Sequence, residues 1–276
     1  MSQQAESQEA HPAAPALPGL LVDPSWLRSQ MGHPRLHTVD LRDSDAYGSG
    51  HIPGAAHLDL GRLGSSVGGC DNVILPAAEF GDLMARLGIS HGDAVVAYDD
   101  QWGLAAARLL WALHYYGHSS VAVLNGGWDR WRDEDGASVE GTEPVTPAQF
   151  EASPNADVYA DFAWMTDRVR AADAVLLDTR TPGEFDRGHL PGAIGWDWFN
   201  AVPADAWDAS RGPADLRAEW EALGLNPSDE VAVYCRSGMR AAHTYMVLRN
   251  AGFARVRLYD GSWQEWAIMI EGGDGH

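Results

Sequence analysis

The chain has 276 residues, 45% of them apolar, enough for two domains that each bury a core, which argues against disorder over most of its length. Asp and Glu outnumber Lys and Arg by 39 to 19, and the net charge of −20 repels nucleic acid and anionic membrane surfaces, so an anionic ligand needs a local basic pocket. No run approaches the ~20 apolar residues of a membrane span, and the start lacks the basic-then-apolar pattern of a secretion signal, so a cytoplasmic protein is expected.

In chain order, residues 1–18 are polar and rich in Ala and Pro and read as a flexible tail. Asp40-Leu41-Arg42 is followed by the turn segment His51-Ile52-Pro53-Gly54-Ala55, then by the apolar run Ala94 to Tyr98 and by Leu124-Asn125-Gly126-Gly127-Trp128. A stretch rich in Glu, Pro, Ser and Thr over 133–157 reads as a linker. Beyond it the same signals return. Val175-Leu176-Leu177 predicts a buried strand leading into Asp178-Thr179-Arg180, and His189-Leu190-Pro191-Gly192-Ala193 repeats the first turn at the same spacing. Leu216 to Leu223 predicts a helix, Val231 to Tyr234 a strand, Ala241 to Asn250 a helix and Val256 to Tyr259 a strand, closing on Asp260-Gly261-Ser262-Trp263. The chain is therefore a duplication, with one domain over 19–132 and another over 158–276. Alternating strands and helices predict an α/β fold, each domain a mostly parallel sheet with helices on both faces and its site where strands end and helices begin. Trp128, Trp131, Trp263 and Trp266 recur at a helical spacing of three, which predicts core packing.

Only two cysteines occur. Cys70 lies in a Gly-rich stretch and reads as an incidental thiol, whereas Cys235 opens the segment Cys235-Arg236-Ser237-Gly238-Met239-Arg240 between a predicted strand and a predicted helix. Backbone N–H groups and the positive end of the helix dipole favour a thiolate there, and Arg236 and Arg240 reinforce them. The first half carries Asp99 after Tyr98 where the second carries Cys235 after Tyr234, and a carboxylate is no soft nucleophile, so only the second half looks catalytic. Neither cysteine belongs to a metal-ligand cluster, and no metal is expected.

These features together resemble the tandem-domain rhodaneses, the family of thiosulfate and 3-mercaptopyruvate sulfurtransferases. The likeness runs from about Leu20 and includes both His-x-Pro-Gly-Ala segments, the Cys235 loop and Tyr259-Asp260-Gly261-Ser262-Trp263. It implies an inactive first domain, a catalytic second one, and Cys235 as carrier of a persulfide cradled by the loop from Arg236 through Ser237, Gly238 and Met239 to Arg240. Arg180 matches an arginine that binds donor oxygens. The implied reaction takes a sulfane sulfur from a small anionic donor and gives it to cyanide, a thiol or a partner protein, without a cofactor. His189 is expected to have a structural role in its turn. His51 is an auxiliary candidate, because mercaptopyruvate members use a first-domain histidine with an acid, here Asp40, Asp43 or Asp45, and the loop serine. The loop mixes the Arg of thiosulfate enzymes with the Ser of mercaptopyruvate enzymes, and its Arg236 and Arg240 together with Arg180 favour thiosulfate. Two readings compete from other classes. One is a cysteine phosphatase or arsenate reductase, against which stands a loop one residue shorter than Cys-x5-Arg; the other is a non-catalytic sulfur-relay module.

Overall fold

The computed structural model describes residues 12–273, so the greater part of the tail expected over 1–18 lies outside the described residues, and side chains are described to Ile270. Strands of the first half are β1 (Leu21–Val22), β2 (Leu36–Asp40), β3 (Ala55–His57), β4 (Gly64–Val67), β5 (Cys70–Ile74), β6 (Ala94–Tyr98) and β7 (Val121–Leu124). Those of the second are β8 (Tyr159–Ala160), β9 (Val175–Asp178), β10 (Ile194–Gly195), β11 (Glu230–Tyr234) and β12 (Arg255–Tyr259). The helices are α1 (Pro24–Gln30), α2 (Ser44–Ser49), α3 (Ala77–Arg86), α4 (Leu104–Tyr115), α5 (Gly127–Asp133), α6 (Phe162–Ala171), α7 (Pro182–Asp186), α8 (Pro213–Ala222), α9 (Met239–Asn250) and α10 (Ser262–Gly273).

Each half forms a five-stranded sheet, ordered β1-β7-β6-β2-β3 and β8-β12-β11-β9-β10, with every pairing parallel. Strand for strand the two orders are the same, which is the duplication expressed in three dimensions. Parallel sheets need both faces covered, and the central strands β6 and β11 are accordingly near-continuous apolar runs. The β4–β5 hairpin is an addition of the first half only and pairs antiparallel.

The halves do not stand apart. Helices α4 and α9 follow the two corresponding loops and pack against each other, so α4 is buried from Ala105 to Leu113 and α9 from Ala241 to Leu248. Buried side chains from both sheets join one hydrophobic cluster that runs from Val39 to Leu258. The stretch expected as a linker over 133–157 is strapped along the first domain. Val139 bridges His51, the Ala148 N–H donates to the Ala85 carbonyl, and Phe150 packs edge-on against Phe80. Its polar composition fits a strap that satisfies backbone groups without adding a strand. Of the four spaced tryptophans, Trp128, Trp131 and Trp266 are buried as expected, while Trp263 is only partly covered.

Candidate active site

Cys235 comes directly after β11, the central strand of its sheet, and its side chain is 1% exposed. The chain turns through Arg236 and Ser237 and enters α9 at Gly238, whose φ of 81° belongs to the left-handed region. A Cβ at Gly238 would lie 2.9 Å from Arg108 Nη1 and 3.3 Å from the Asp260 carbonyl, so only glycine fits here. Ser262, itself at φ 53°, places its hydroxyl beneath the loop: Oγ accepts the N–H groups of Cys235 (3.3 Å) and Gly238 (3.1 Å) and donates to the Tyr259 carbonyl (2.8 Å). The matching residue of the first domain is Gly127, where a Cβ would collide with the Asp99 carbonyl oxygen.

The first domain displays the same cradle already filled. Asp99, at the position of Cys235, turns its carboxylate into its own loop and accepts four backbone N–H groups: Gln101 and Gly103 at 2.8 Å each, Ala105 at 2.7 Å and Ala106 at 2.9 Å. Burial pushes its pKa up, and the four donors oppose that. In the second domain no side chain plugs the cradle. Among the described residues, the N–H groups of Arg236, Ser237, Met239, Arg240 and Ala241 have no hydrogen-bond acceptor. They form the donor end of α9, just after Cys235 in the chain.

Two of the arginines expected to meet a ligand are also held by carboxylates. Arg180 spends Nε and Nη2 on the Asp178 carboxylate (2.9 and 2.6 Å) and on the Gly188 carbonyl (2.6 Å), with its guanidinium 4.6 Å from the Trp263 ring. Arg42 in the first domain does the same with Asp40, Gly50 and Trp128. The same arrangement in the domain that carries Asp99 at the Cys235 position reads as a structural fastening, which leaves Arg180 only Nη1 toward a ligand. Arg240 is similarly occupied, because both terminal nitrogens bind Glu184 at 2.7 and 2.9 Å. That pair holds the Glu184 carboxyl down at about 2 and, with Cys235 also in reach, raises the Arg240 pKa.

His51 is not brought to the Cys235 loop. Its ring is fully buried, stacked 3.9 Å from Tyr47 and bonded through Nδ1 to the Tyr47 carbonyl, while Nε2 lies 3.9 Å from Glu143. His189 repeats this with Phe185, stacking at 3.8 Å and bonding the Phe185 carbonyl, as suits a turn residue. Of the candidate acids, Asp40 is locked to Arg42 and Tyr98, and Asp43 caps α2.

Residues from the first domain complete the site, and sequence reasoning missed them. The β4–β5 hairpin reaches over the loop, so that Asn72 Nδ2 donates to Ser237 Oγ (3.2 Å) and Asp71 bonds Gln264. Arg108 of α4 donates to the Asn72 carbonyl (2.5 Å) and to Asp260 Oδ1 (2.7 Å), and Asp260 Oδ2 accepts the Ile74 N–H (2.8 Å). Cys70, in the same hairpin, is 5% exposed, and burial together with Glu265, Asp71 and Asp260 raises its pKa. Such a thiol is a poor nucleophile. Beside the loop, Arg180, Glu184, Arg187, Arg236, Trp263 and Gln264 enclose a cavity of about 220 Å³.

Among known proteins, the model of the Rhodanese-like domain matches twice, at residues 23–134 and 161–269. A thiosulfate sulfurtransferase of Corynebacterium glutamicum is 36% identical, the match covering 92% of this chain and 90% of the relative; one of Pseudomonas aeruginosa is 33% identical, covering 90% and 93%. The crystal structure of SseA from Escherichia coli, described as a 3-mercaptopyruvate sulfotransferase, superimposes with a TM-score of 0.81 at 25% identity over 89% of this chain and 99% of SseA. A repeated parallel sheet, a cysteine loop in one copy and an acid-filled loop in the other thus coincide with two family matches that together span most of the sequence, and the chain belongs to the rhodanese family of sulfurtransferases.

Proposed function

We propose that this sulfurtransferase carries sulfur as a persulfide on Cys235 and takes it from thiosulfate. The observation that supports this most directly is the contrast between the two cradles. Asp99 places its carboxyl oxygens about two bonds beyond Cβ, where the loop and helix start bind them through four N–H donors. Cys235 ends one atom short of that point, and a second sulfur on Sγ reaches it. The cradle thus stabilises the terminal sulfur as an oxyanion hole stabilises developing charge.

The proposed first step is attack of the Cys235 thiolate on the outer sulfur of thiosulfate. The Sγ–S bond forms, the donor's S–S bond breaks, and its electron pair leaves with sulfite. In the second step a thiophilic acceptor, cyanide or a thiol, attacks the terminal sulfur and returns the electron pair to Sγ. Sulfur changes hands without an external oxidant or metal. Arg236, exposed at the loop, and Arg180 Nη1 are left to meet the donor oxygens, while Arg240 acts on the site as a partner of Glu184. Thiosulfate as donor is favoured by this basic rim on a chain of net charge −20 and by the names of the sequence relatives. The mercaptopyruvate reading loses support with His51, whose contacts lie with Tyr47 and Val139. Both cysteines are unpaired, which suits a thiol chemistry practised in a reducing compartment such as the cytoplasm.

Intact mass after incubation with thiosulfate tests the central step. Wild type and Cys70→Ser are expected to gain about 32 Da that cyanide removes, and Cys235→Ser to gain nothing and turn over no substrate. A competent wild-type enzyme that never acquires the added mass would refute the covalent route.

A further inference from the structure

The cavity beside the Cys235 loop holds more positive charge than its own walls use. Glu184 is neutralised by Arg240, and Arg180 is committed to Asp178. Arg187 and Arg236 remain exposed on its rim, and among the described residues neither has a carboxylate within 4 Å. Asp71 feels Arg236 at longer range, but its side chain is engaged by Gln264 and Ser66. Two guanidinium groups without a carboxylate partner thus line one cavity, in a chain where acids outnumber bases two to one. The chain contains no lysine, so both present the planar fork that binds a carboxylate through two hydrogen bonds. Trp263, in the same lining, is partly covered, and the cavity of about 220 Å³ approaches the ~300 Å³ at which small-molecule sites begin.

Resting on the reading that a Cys235 persulfide is discharged to an acceptor, we propose that Arg187, together with Arg236, recognises a carboxylate on that acceptor, which is a low-mass thiol bearing one or more carboxylates. The discharging step brings an acceptor thiolate against an anionic persulfide on a strongly acidic protein, so both charges resist the approach. Arginines beside the path offset that repulsion and hold the thiol over Trp263. The acceptor thiolate attacks the terminal sulfur, a new S–S bond forms on the acceptor, and the Cys235 S–S bond breaks with its electron pair returning to Sγ. Arg187 is a specificity residue in this account and touches no reacting atom.

The experiment compares mercaptosuccinate, with two carboxylates, against neutral 2-mercaptoethanol as acceptors at saturating thiosulfate, each rate expressed per thiolate. Wild type is expected to favour mercaptosuccinate by about 10-fold in kcat/KM, the worth of one charge-assisted contact, and to lose that preference at high salt. Arg187→Gln should reduce the preference to near unity through KM, and Arg187→Lys should keep a good part of it, which a merely structural arginine would not show. A wild type without preference, or an Arg187→Gln variant that slows both thiols equally, overturns the proposal. Persulfide mass is read on the same samples. If the persulfide forms but the preference is missing, only the acceptor assignment falls; if no persulfide forms, the sulfur-carrier reading falls and takes this one with it.

Discussion

Replacing Asp260 should show how far the two domains depend on one another. Its carboxylate and the Arg108 guanidinium are 0% and 1% exposed and join at 2.7 Å across the domain boundary. Asp260→Leu leaves Arg108 as a buried charge without its counterion and frees the Ile74 N–H of the hairpin. Removing one partner of a buried pair typically costs about 3–5 kcal/mol, because the other charge keeps its desolvation penalty. At about 2 °C per kcal/mol for a chain of this size, the melting temperature should fall by roughly 6–10 °C. Arg108→Leu should cost a similar amount by stranding Asp260. The double variant should recover most of the loss, since both charges leave together and apolar side chains of similar bulk replace them. Urea unfolding followed by fluorescence of the 12 tryptophans, run on all four proteins, closes the cycle. Costs below about 1 kcal/mol for Asp260→Leu, or a double variant as unstable as the sum of the singles, would refute the buried-pair reasoning.

Asp99→Asn should destabilise the first domain by about 1.5–3 kcal/mol, because an amide turns hydrogens toward two of the four N–H donors, while the rate of persulfide formation at Cys235 stays near wild type. Rapid-quench mass spectrometry beside thermal melts checks both halves of that statement. Ser262→Gly removes the acceptor beneath the loop and should lower kcat/KM for thiosulfate by roughly 10-fold even though glycine suits φ 53°, the loss of about 1–1.5 kcal/mol of loop hydrogen bonding; an unchanged value would mean the hydroxyl does not set the cradle. The Glu184 carboxyl sits at about 2 when folded, below its ordinary ~4.3, so the pair with Arg240 stabilises fully above that ordinary value and is lost as pH falls toward 2. The stability gap between wild type and Glu184→Gln should therefore be flat from about pH 6 to 8 and shrink below about pH 4, and a gap that grows on acidification would contradict the assignment.

The duplication, the α/β class and the place of Cys235 in a strand-to-helix loop were legible because their signals are local. A strand's apolar run, a left-handed glycine before a helix and a turn motif each act over a few residues, and the second copy served as an internal comparison. The same comparison contained an unused clue: Asp40-x-Arg42 recurs as Asp178-x-Arg180, and a motif also present in the half with Asp99 at the nucleophile position marks a fastening before it marks a ligand. Glycine at 127 against serine at 262 was likewise visible, but what the hydroxyl accepts depends on the approach of two loops.

What the sequence determined alone, then, is the pair of sheets and the cysteine at the head of one loop, since strand and helix periodicity and the type of a single side chain are properties of short segments. Tertiary structure decided which charges are free to act. Arg180 and Arg240 read as ligand-binding cations until Asp178 and Glu184 claim them, and Arg187 looks ordinary until it shares a cavity with Arg236. Arg108, Asn72 and Asp260 lie far apart in the chain and meet beside the loop that follows Cys235 only because α4 packs on α9 and the hairpin closes over that loop. An ion pair forms between whichever opposite charges the fold brings within reach, and spacing along the chain carries no record of that.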